Sequence, residues 1–211
     1  MGSSGGEGAL VGFRASLLGI GTDIGGSIRG PAANCGLKAV GGGQEQIVPT
    51  IGPLSTSLEG LKIFTKTLID AKPWLREPGL LPFPWKEEDF FNGRKIKVAV
   101  IWDDGVVKPQ PPVTRALKEV VDKLASSDKF EVVDWKPYQH DRAWEIISWD
   151  GTPTVKNKVD VSKDSVDMNH EPRNERDEEN VALWKEHGAE GYKDAPVSLQ
   201  LVGRRYVDTV A

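Results

Sequence analysis

Two glycine-rich stretches decide how this chain folds: GSSGGEGALVG at residues 2–12 and GIGTDIGGSIRGPAANCGLK at residues 19–38. Each carries a serine inside a glycine run, and Ser3 precedes Ser27 by 24 residues. Glycine permits backbone conformations and close approaches that a Cβ atom would prevent. A serine hydroxyl that is flanked by glycines, which have no side chain, is typical of a site that holds a charged or reacting group.

Three common glycine-rich motifs do not fit these stretches. A P-loop requires Gly-Lys-Ser/Thr after four spacer residues, and the sequence lacks that run. A dinucleotide fingerprint starting at Gly19 and Gly21 needs a third glycine where Ile24 stands. A nucleophile elbow of the form Gly-x-Ser-x-Gly would begin at Gly25, but Arg29 occupies its last position. Nucleotide binding and an α/β-hydrolase elbow are therefore disfavoured.

An oxyanion loop fits the second stretch better. With glycine at positions 25 and 26, the successive N–H groups of residues 24–27 can converge on one point. Converging donors stabilise the negative oxygen of a tetrahedral intermediate in acyl transfer. Ser27 then places a hydroxyl where the carbonyl carbon would lie, but a serine nucleophile needs a base to accept its proton.

No histidine lies near the two stretches. The three histidines are His140, His170 and His187, and we interpret each as a solvated surface residue because its neighbours are polar. They are also too scattered to predict a metal site. Without a nearby histidine, the chain could use a second serine hydroxyl as a proton relay, itself deprotonated by a neutral lysine.

The two stretches together closely resemble the amidase signature family, whose members use a Ser–cis-Ser–Lys triad. The resemblance implies that Ser27 is the acyl-forming nucleophile and that Ser3 is the relay serine. It places the oxyanion-hole positions at Ile24, Gly25, Gly26 and Ser27. The residues that match supporting positions of the motif are Ser4, Thr22, Asp23 and Arg29.

Other segments resemble the acetamidase-type branch of that family, among them residues 52–64 and 95–117. The implied activity is hydrolysis of a small aliphatic amide to an acid and ammonia through a seryl acyl-enzyme. Two alternatives stay open. One is a truncated, inactive amidase-like fragment, and the other is the amidase-type subunit of an amidotransferase.

The sequence also departs from the family pattern. The family's catalytic lysine lies upstream of the relay serine and its members are more than twice as long, so we expect a truncated chain. Ala39 and Val40 stand where proline and threonine are usual. Lys38 matches a structural lysine, and no other lysine is nominated as the base. Cys35 is interpreted as a small apolar residue.

The resemblance implies an α/β fold, an α/β/α core built on a mixed sheet, incomplete in this chain. We expect one partial domain over residues 1–211. Its predicted parts are a signature region (2–43), an α/β continuation (55–148), a polar loop (150–194) and a C-terminal strand (195–205). Within the polar loop, residues 179–187 are the one candidate element.

Periodicity predicts the individual elements. Residues 9–20 are predicted as a helix and then a strand closed by Gly19 and Gly21, and residues 41–53 as a loop. Residues 55–71 predict an amphipathic helix with Ser55 or Ser57 as its N-cap. The run of strand 95–102, helix 114–127 and strand 130–135 predicts a parallel β-α-β unit.

Composition limits the partners. The net charge of −4 disfavours a nucleic-acid or anionic-membrane surface, and the absence of a long apolar run excludes a spanning helix within these 211 residues. A single cysteine favours a reducing compartment, so we expect a cytoplasmic protein. The expected partner is a small amide substrate, with no metal or organic cofactor. A homo-oligomer is left open.

Overall fold

A computed structural model describes residues 2–39, 50–87, 93–146, 154–165 and 169–199. The chain divides into two compact units. Unit 1 is formed mainly by residues 1–88, and unit 2 by residues 89–149 and 156–199. The interpretation of residues 1–211 as one partial domain stays a prediction.

Unit 1 is built on a short antiparallel sheet with strand order β1-β3-β2. Its elements are α1 (Gly5–Gly12), β1 (Leu18–Asp23), α2 (Arg29–Asn34), β2 (Lys38–Ala39), β3 (Thr50–Ser55) and α3 (Leu58–Asp70), followed by a 3₁₀ turn (Pro73–Leu75). The register pairs Leu18 with Ser55 and Asp23 with Thr50. The strand β1 therefore runs directly into the second glycine-rich turn.

The two glycines of β1 do not close the strand as predicted, because β1 continues through both of them to Asp23. A Cβ atom on Gly21 would lie 2.5 Å from Ser4 Oγ and 2.9 Å from Ser4 Cβ. A Cβ atom on Gly19 would meet the carboxylate arm of Glu7. The glycines therefore let the first glycine-rich stretch pack directly on the strand.

The predicted loop at 41–53 is wrong at its C-terminal end, where β3 begins at Thr50. Gly52 and Pro53 weaken the strand pattern in the sequence. In the structure Pro53 lies opposite Ile20 of β1, and the described part of β2 pairs with Leu54 and Ser55. Residues 40–49 lie outside the described residues.

The amphipathic helix predicted at 55–71 is confirmed as α3. Ser57 is its N-cap, and its Oγ accepts a hydrogen bond from Gly60 N at 2.9 Å. Leu61 is buried, whereas Leu58 and Leu68 are 40% and 51% exposed. The helix thus covers the sheet through a narrower apolar face than its sequence pattern predicts.

The core of unit 1 is small and lies between α1, α2 and β3. Its buried side chains are Val11, Ile28, Ala32, Leu37 and Leu54. Cys35 is partly buried and packs against this cluster. The core therefore fixes α1 and α2, the helices that follow the two serine turns.

Unit 2 contains the predicted β-α-β run, which is confirmed. Its elements are β4 (Ile96–Val100), α4 (Pro111–Ala125), β5 (Phe130–Asp134), α5 (His140–Ile146), β6 (Thr154–Lys158), α6 (Glu175–Gly191) and β7 (Pro196–Ser198). The strands β4 and β5 are parallel, with Ile96 opposite Phe130. The helix α4 begins three residues before the predicted start because Pro111 suits its first turn.

The predicted polar loop at 150–194 is wrong, although its one candidate element, residues 179–187, does lie within a helix. It contains β6 and the 17-residue helix α6, capped by Asn174, whose side chain accepts a hydrogen bond from Asp177 N at 3.1 Å. The buried residues of α6 are Asp177 and Trp184, so the helix lacks the apolar stripe that would reveal it. Of the predicted strand 195–205, β7 covers Pro196–Ser198, and residues from 200 onward lie outside the described residues.

The core of unit 2 joins α4, α6 and the β6–β7 pair. Its buried side chains are Ala116, Val159, Trp184 and Val197. No helix within the described ranges is long and apolar enough to cross a bilayer.

Candidate active site

The two serine-containing turns lie against each other in unit 1. Ser4 N donates a hydrogen bond to the carbonyl oxygen of Ser27 at 3.1 Å. A Cβ atom on Gly2 would lie 2.6 Å from Ser27 Cα, so the backbones touch where a larger residue would not fit. Ser3 is exposed and Ser27 is half-buried. The fold thus brings together two segments that the sequence separates by 24 residues.

Ser4 ties the first turn to the end of β1. Its Oγ accepts a hydrogen bond from Thr22 N at 3.2 Å and lies 3.3 Å from Thr22 O, to which it donates. These contacts use the backbone of Thr22 rather than its side chain. The supporting role that the resemblance implies for these two residues stays a prediction.

Asp23 organises the turn that carries Ser27. Its carboxylate is 2% exposed and accepts hydrogen bonds from the amides of Gly26, Ile28 and Arg29, at 2.5, 3.0 and 3.2 Å. The guanidinium of Arg29 adds two more, from Nε at 3.1 Å and Nη2 at 3.2 Å. One buried carboxylate therefore fixes the backbone on both sides of Ser27.

The same contacts keep Asp23 ionised. Burial alone would raise its pKa, but the Arg29 guanidinium and the three amides outweigh burial and lower the pKa to about 2. The negative charge is thus permanent near neutral pH and is matched by the charge of Arg29.

The backbone amides of the predicted oxyanion loop are arranged differently from the prediction in one respect. Gly26 N donates to Asp23, so the four amides of residues 24–27 do not all converge on one point. The amides of Gly25 and Ser27 donate no hydrogen bond to any described residue. Gly26 has φ of +105°, which favours glycine at this position. The assignment of the oxyanion site stays a prediction.

The hydroxyls of Ser3 and Ser27 form no hydrogen bond with another described residue. The described residues contain no cis peptide bond, so the cis-serine implied by the resemblance is not found at Ser3. Lys38 lies in β2, and residues 40–43 of the predicted signature region lie outside the described residues. The proton relay therefore stays a prediction as well.

Two supporting residues were missed in the sequence. Glu7 Oε1 accepts a hydrogen bond from Ile20 N at 3.3 Å, which joins α1 to β1. Ser55 is 2% exposed, and its Oγ donates to Leu17 O at 3.1 Å. The acid in a GSSGGE run and a serine at a strand end are weak signals, because their partners lie 13 and 38 residues away in the sequence.

The interpretation of His170 as a solvated residue is wrong. Its side chain is 11% exposed, and its Nε2 lies 2.8 Å from Asp177 Oδ2 in unit 2. Asp177 itself is fully buried. This pair is outside the serine site, and the described residues contain no cluster of three or more potential metal ligands.

A sequence profile of the family described as Amidase matches residues 2–185 of this chain. A Schizosaccharomyces pombe protein that carries an amidase name is 44% identical over 162 residues, covering 70% of this chain and 30% of that protein. The acetamidase of Aspergillus oryzae is 36% identical over 187 residues, covering 76% of this chain and 34% of the enzyme. The chain thus spans about a third of the length of these relatives.

A solved structure of a fatty acid amide hydrolase has the same fold. It superposes on 98% of this chain with a TM-score of 0.78 and 22% identity, and the match covers 56% of that structure. The mixed α/β fold that the sequence predicts is therefore confirmed. Because the family profile matches residues 2–185, this chain belongs to the amidase signature family.

Proposed function

We propose that this chain carries the acyl-transfer site of an amide hydrolase, with Ser27 as the nucleophile. The observation that supports it is the buried Asp23 carboxylate, which fixes the backbone around Ser27 through three amides and Arg29. A nucleophile held on a rigid turn loses less freedom when it reaches the transition state.

In the proposed first step, Ser27 Oγ attacks the amide carbonyl carbon and a C–O bond forms. The Ser27 proton passes to Ser3 Oγ, whose own proton moves on to a neutral lysine. In the family that lysine lies upstream of the relay serine, and we assign no lysine of this chain to the role. The amide C–N bond then breaks, and the leaving nitrogen takes the proton back from the lysine by way of Ser3 Oγ.

The negative oxygen of the tetrahedral intermediate is stabilised by backbone amides. We assign this role to Gly25 and Ser27, and to Ile24 beside them, with Gly26 contributing through its glycine conformation. Gly26 N donates to Asp23, so this amide stabilises the loop conformation and is not one of the donors to the oxyanion. Water then cleaves the acyl-enzyme, which releases the acid and restores Ser27.

A small aliphatic amide is the proposed substrate. The support is the likeness to two fungal acetamidases, from Aspergillus oryzae and Emericella nidulans, at 36% and 37% identity. No metal or organic cofactor takes part in the proposed chemistry. We place the activity in the cytoplasm, on the strength of one cysteine in 211 residues.

Labelling with a fluorophosphonate probe tests this proposal directly. We expect the intact mass to show one adduct on the unaltered chain and none on Ser27→Ala. Ser126→Ala is the matched control, because Ser126 is an exposed serine at the end of α4 in unit 2. This variant keeps Ser27, so it should still show the adduct.

Two results would contradict the proposal. One is an adduct that survives Ser27→Ala, and the other is no adduct on a chain whose circular dichroism shows it folded. The second result would favour an amidase-like chain without catalysis. Copurification with a dedicated partner subunit, together with a requirement for glutamine, would instead favour the amidase-type subunit of an amidotransferase.

A further inference from the structure

Unit 2 contains a cavity of about 640 Å³ that the serine chemistry does not use. It lies between the start of α4, the loop around Lys163 and the N-terminal half of α6. Pockets that hold small molecules are typically of this size. We call it the α4–α6 cavity.

The wall on the α6 side is held by side-chain hydrogen bonds. Gln110 Nε2 donates to Asn180 Oδ1 at 2.7 Å and to Asn180 O at 2.9 Å. Asn180 Nδ2 donates in turn to Lys108 O at 3.1 Å. These bonds tie α6 to the segment before α4, so the cavity is formed before any ligand arrives.

His170 lines the cavity, and its ring is held in place by the hydrogen bond between its Nε2 atom and the buried Asp177. The buried Asp177 accepts hydrogen bonds from the amides of Lys108 and Arg173, at 2.9 and 3.1 Å. Burial opposes ionisation of Asp177, but these bonds and His170 hold its pKa below the usual value. An ionised carboxylate can only accept, so His170 Nε2 carries the proton that is shared with Asp177.

The second ring nitrogen of His170 is consequently the one that remains for a ligand. In the neutral ring, Nδ1 is an acceptor when Nε2 carries the proton. Nδ1 makes no hydrogen bond with any described residue. A ligand that donates a hydrogen bond would satisfy it.

The rest of the wall suits an apolar body. Trp184 is 6% exposed and stacks on Tyr192, with ring centroids 5.5 Å apart and planes within 6°. Val181, Pro109 and Pro111 line the same cavity. Because Pro111 and Pro112 lack N–H groups, the start of α4 offers few amides to an anion.

The charged groups at the cavity favour a neutral ligand. Arg115 is paired with the buried Asp164, at 2.8 Å from Nε to Oδ1 and 3.0 Å from Nη2 to Oδ2. Lys163 lies 3.1 Å from Asp160. Lys118 and Asp122, one turn apart on α4, carry opposite charges. No large excess of one charge remains to select an ion.

We propose that the α4–α6 cavity binds a small neutral molecule with an aromatic or aliphatic body and a hydroxyl or amide N–H. The body packs on Trp184, and His170 Nδ1 accepts the hydrogen bond from the donor group. The site belongs to unit 2 and does not depend on the serine chemistry proposed for unit 1.

Two matched probes test this site on the unaltered protein. 2-Naphthol has the aromatic body and the donor, whereas 2-methoxynaphthalene has the same body with the donor capped. We expect calorimetric titration to show saturable, one-to-one binding of 2-naphthol, about five to ten times tighter than the capped probe. Equal affinities, or no saturable binding of 2-naphthol, would overturn the proposal.

Three variants locate the binding. His170→Phe should abolish the preference for 2-naphthol, and His170→Gln should restore part of it, because an amide can donate to Asp177 and still accept from the probe. His140→Phe is the matched control and should bind like the unaltered chain, as should Ser27→Ala. A preference that survives His170→Phe in a folded chain would refute the role of His170. Loss of binding in Ser27→Ala would refute the separate site.

Discussion

Asp23 in unit 1 and Asp177 in unit 2 are both buried carboxylates, and they organise the chain over different distances. The amides and the guanidinium that donate to the Asp23 carboxylate lie within six residues of it. Asp177 accepts a hydrogen bond from Lys108 N, 69 residues earlier. A carboxylate can therefore shape a local turn, which its own sequence encodes, or join distant segments, which a short stretch of sequence does not reveal.

The largest expected effect on stability comes from neutralising the carboxylates of Asp23 and Asp177. Asp23→Asn leaves the part-buried Arg29 charge without its partner, and we expect the free energy of unfolding to fall by about 3 kcal/mol. Asp177→Asn keeps one acceptor oxygen and replaces the other with an NH2 group that cannot accept, so the hydrogen bonds to that oxygen are lost, and we expect a loss of about 2 kcal/mol. Urea unfolding followed by far-ultraviolet circular dichroism measures both.

Hydrogen exchange shows whether each loss is local. In Asp23→Asn the amides of Gly26, Ile28 and Arg29 should exchange faster, with unit 2 unchanged. In Asp177→Asn the faster amides should include Lys108 and Arg173, on two separate segments. If the faster-exchanging amides were spread over equally distant segments in both variants, the contrast between a local and a long-range carboxylate would be wrong.

Acid should weaken unit 1 through Asp23. Its pKa in the folded chain is lowered to about 2, below the value of about 3.9 in an unfolded chain. The stabilisation is therefore complete above about pH 4 and is lost as the pH falls toward 2, with a total of about 2 kcal/mol. The urea midpoint measured from pH 5 to pH 2 should drop more steeply in the unaltered chain than in Asp23→Asn. Parallel curves would contradict the role given to Asp23.

The contact between the two serine turns can be tested at Gly2. A Cβ atom there would lie 2.6 Å from Ser27 Cα and 2.9 Å from Gly26 O, so Gly2→Ala should cost about 1–3 kcal/mol and reduce labelling of Ser27. Gly6→Ala is the matched control, because nothing lies within 4 Å of a Cβ atom at that exposed position. Similar losses in both variants would show that the turns do not depend on close backbone contact.

The smallest expected effect is at the N-cap of α3. Ser57→Ala removes the hydrogen bond from Gly60 N and should lower the free energy of unfolding by about 1 kcal/mol. Ser126→Ala, outside any N-cap, should change it by less. A Ser57 effect as large as that of Asp23→Asn would show that a local cap rivals a buried ion pair.

Sequence patterns predicted the features that neighbouring residues encode. Ser57 at the start of α3 and the β4-α4-β5 run follow from cap residues and periodicity, and both are confirmed. The family profile likewise confirms the resemblance carried by the two serine stretches. The catalytic roles of Ser3 and Ser27 stay predictions.

The features that were missed depend on contacts between distant residues. The helix α6 buries Asp177 and Trp184 alone, so its sequence shows no apolar stripe. The burial of His170 depends on Asp177, which is itself bound by Lys108 N from another segment. The strand β3 was hidden by Gly52 and Pro53, which the pairing with β1 tolerates.

The two glycines of β1, Gly19 and Gly21, should differ in how readily they are replaced in relatives of this chain. A methyl group at residue 19 would meet the flexible end of Glu7, which can swing aside or be shortened by a second mutation. At residue 21 it would meet Ser4 Cβ at 2.9 Å and Ile28 Cγ1 at 3.0 Å, on backbone that the serine turns hold in place. Replacements at positions 7 and 19 should therefore occur together among relatives. Position 21 should remain glycine as long as the two serine turns stay in contact.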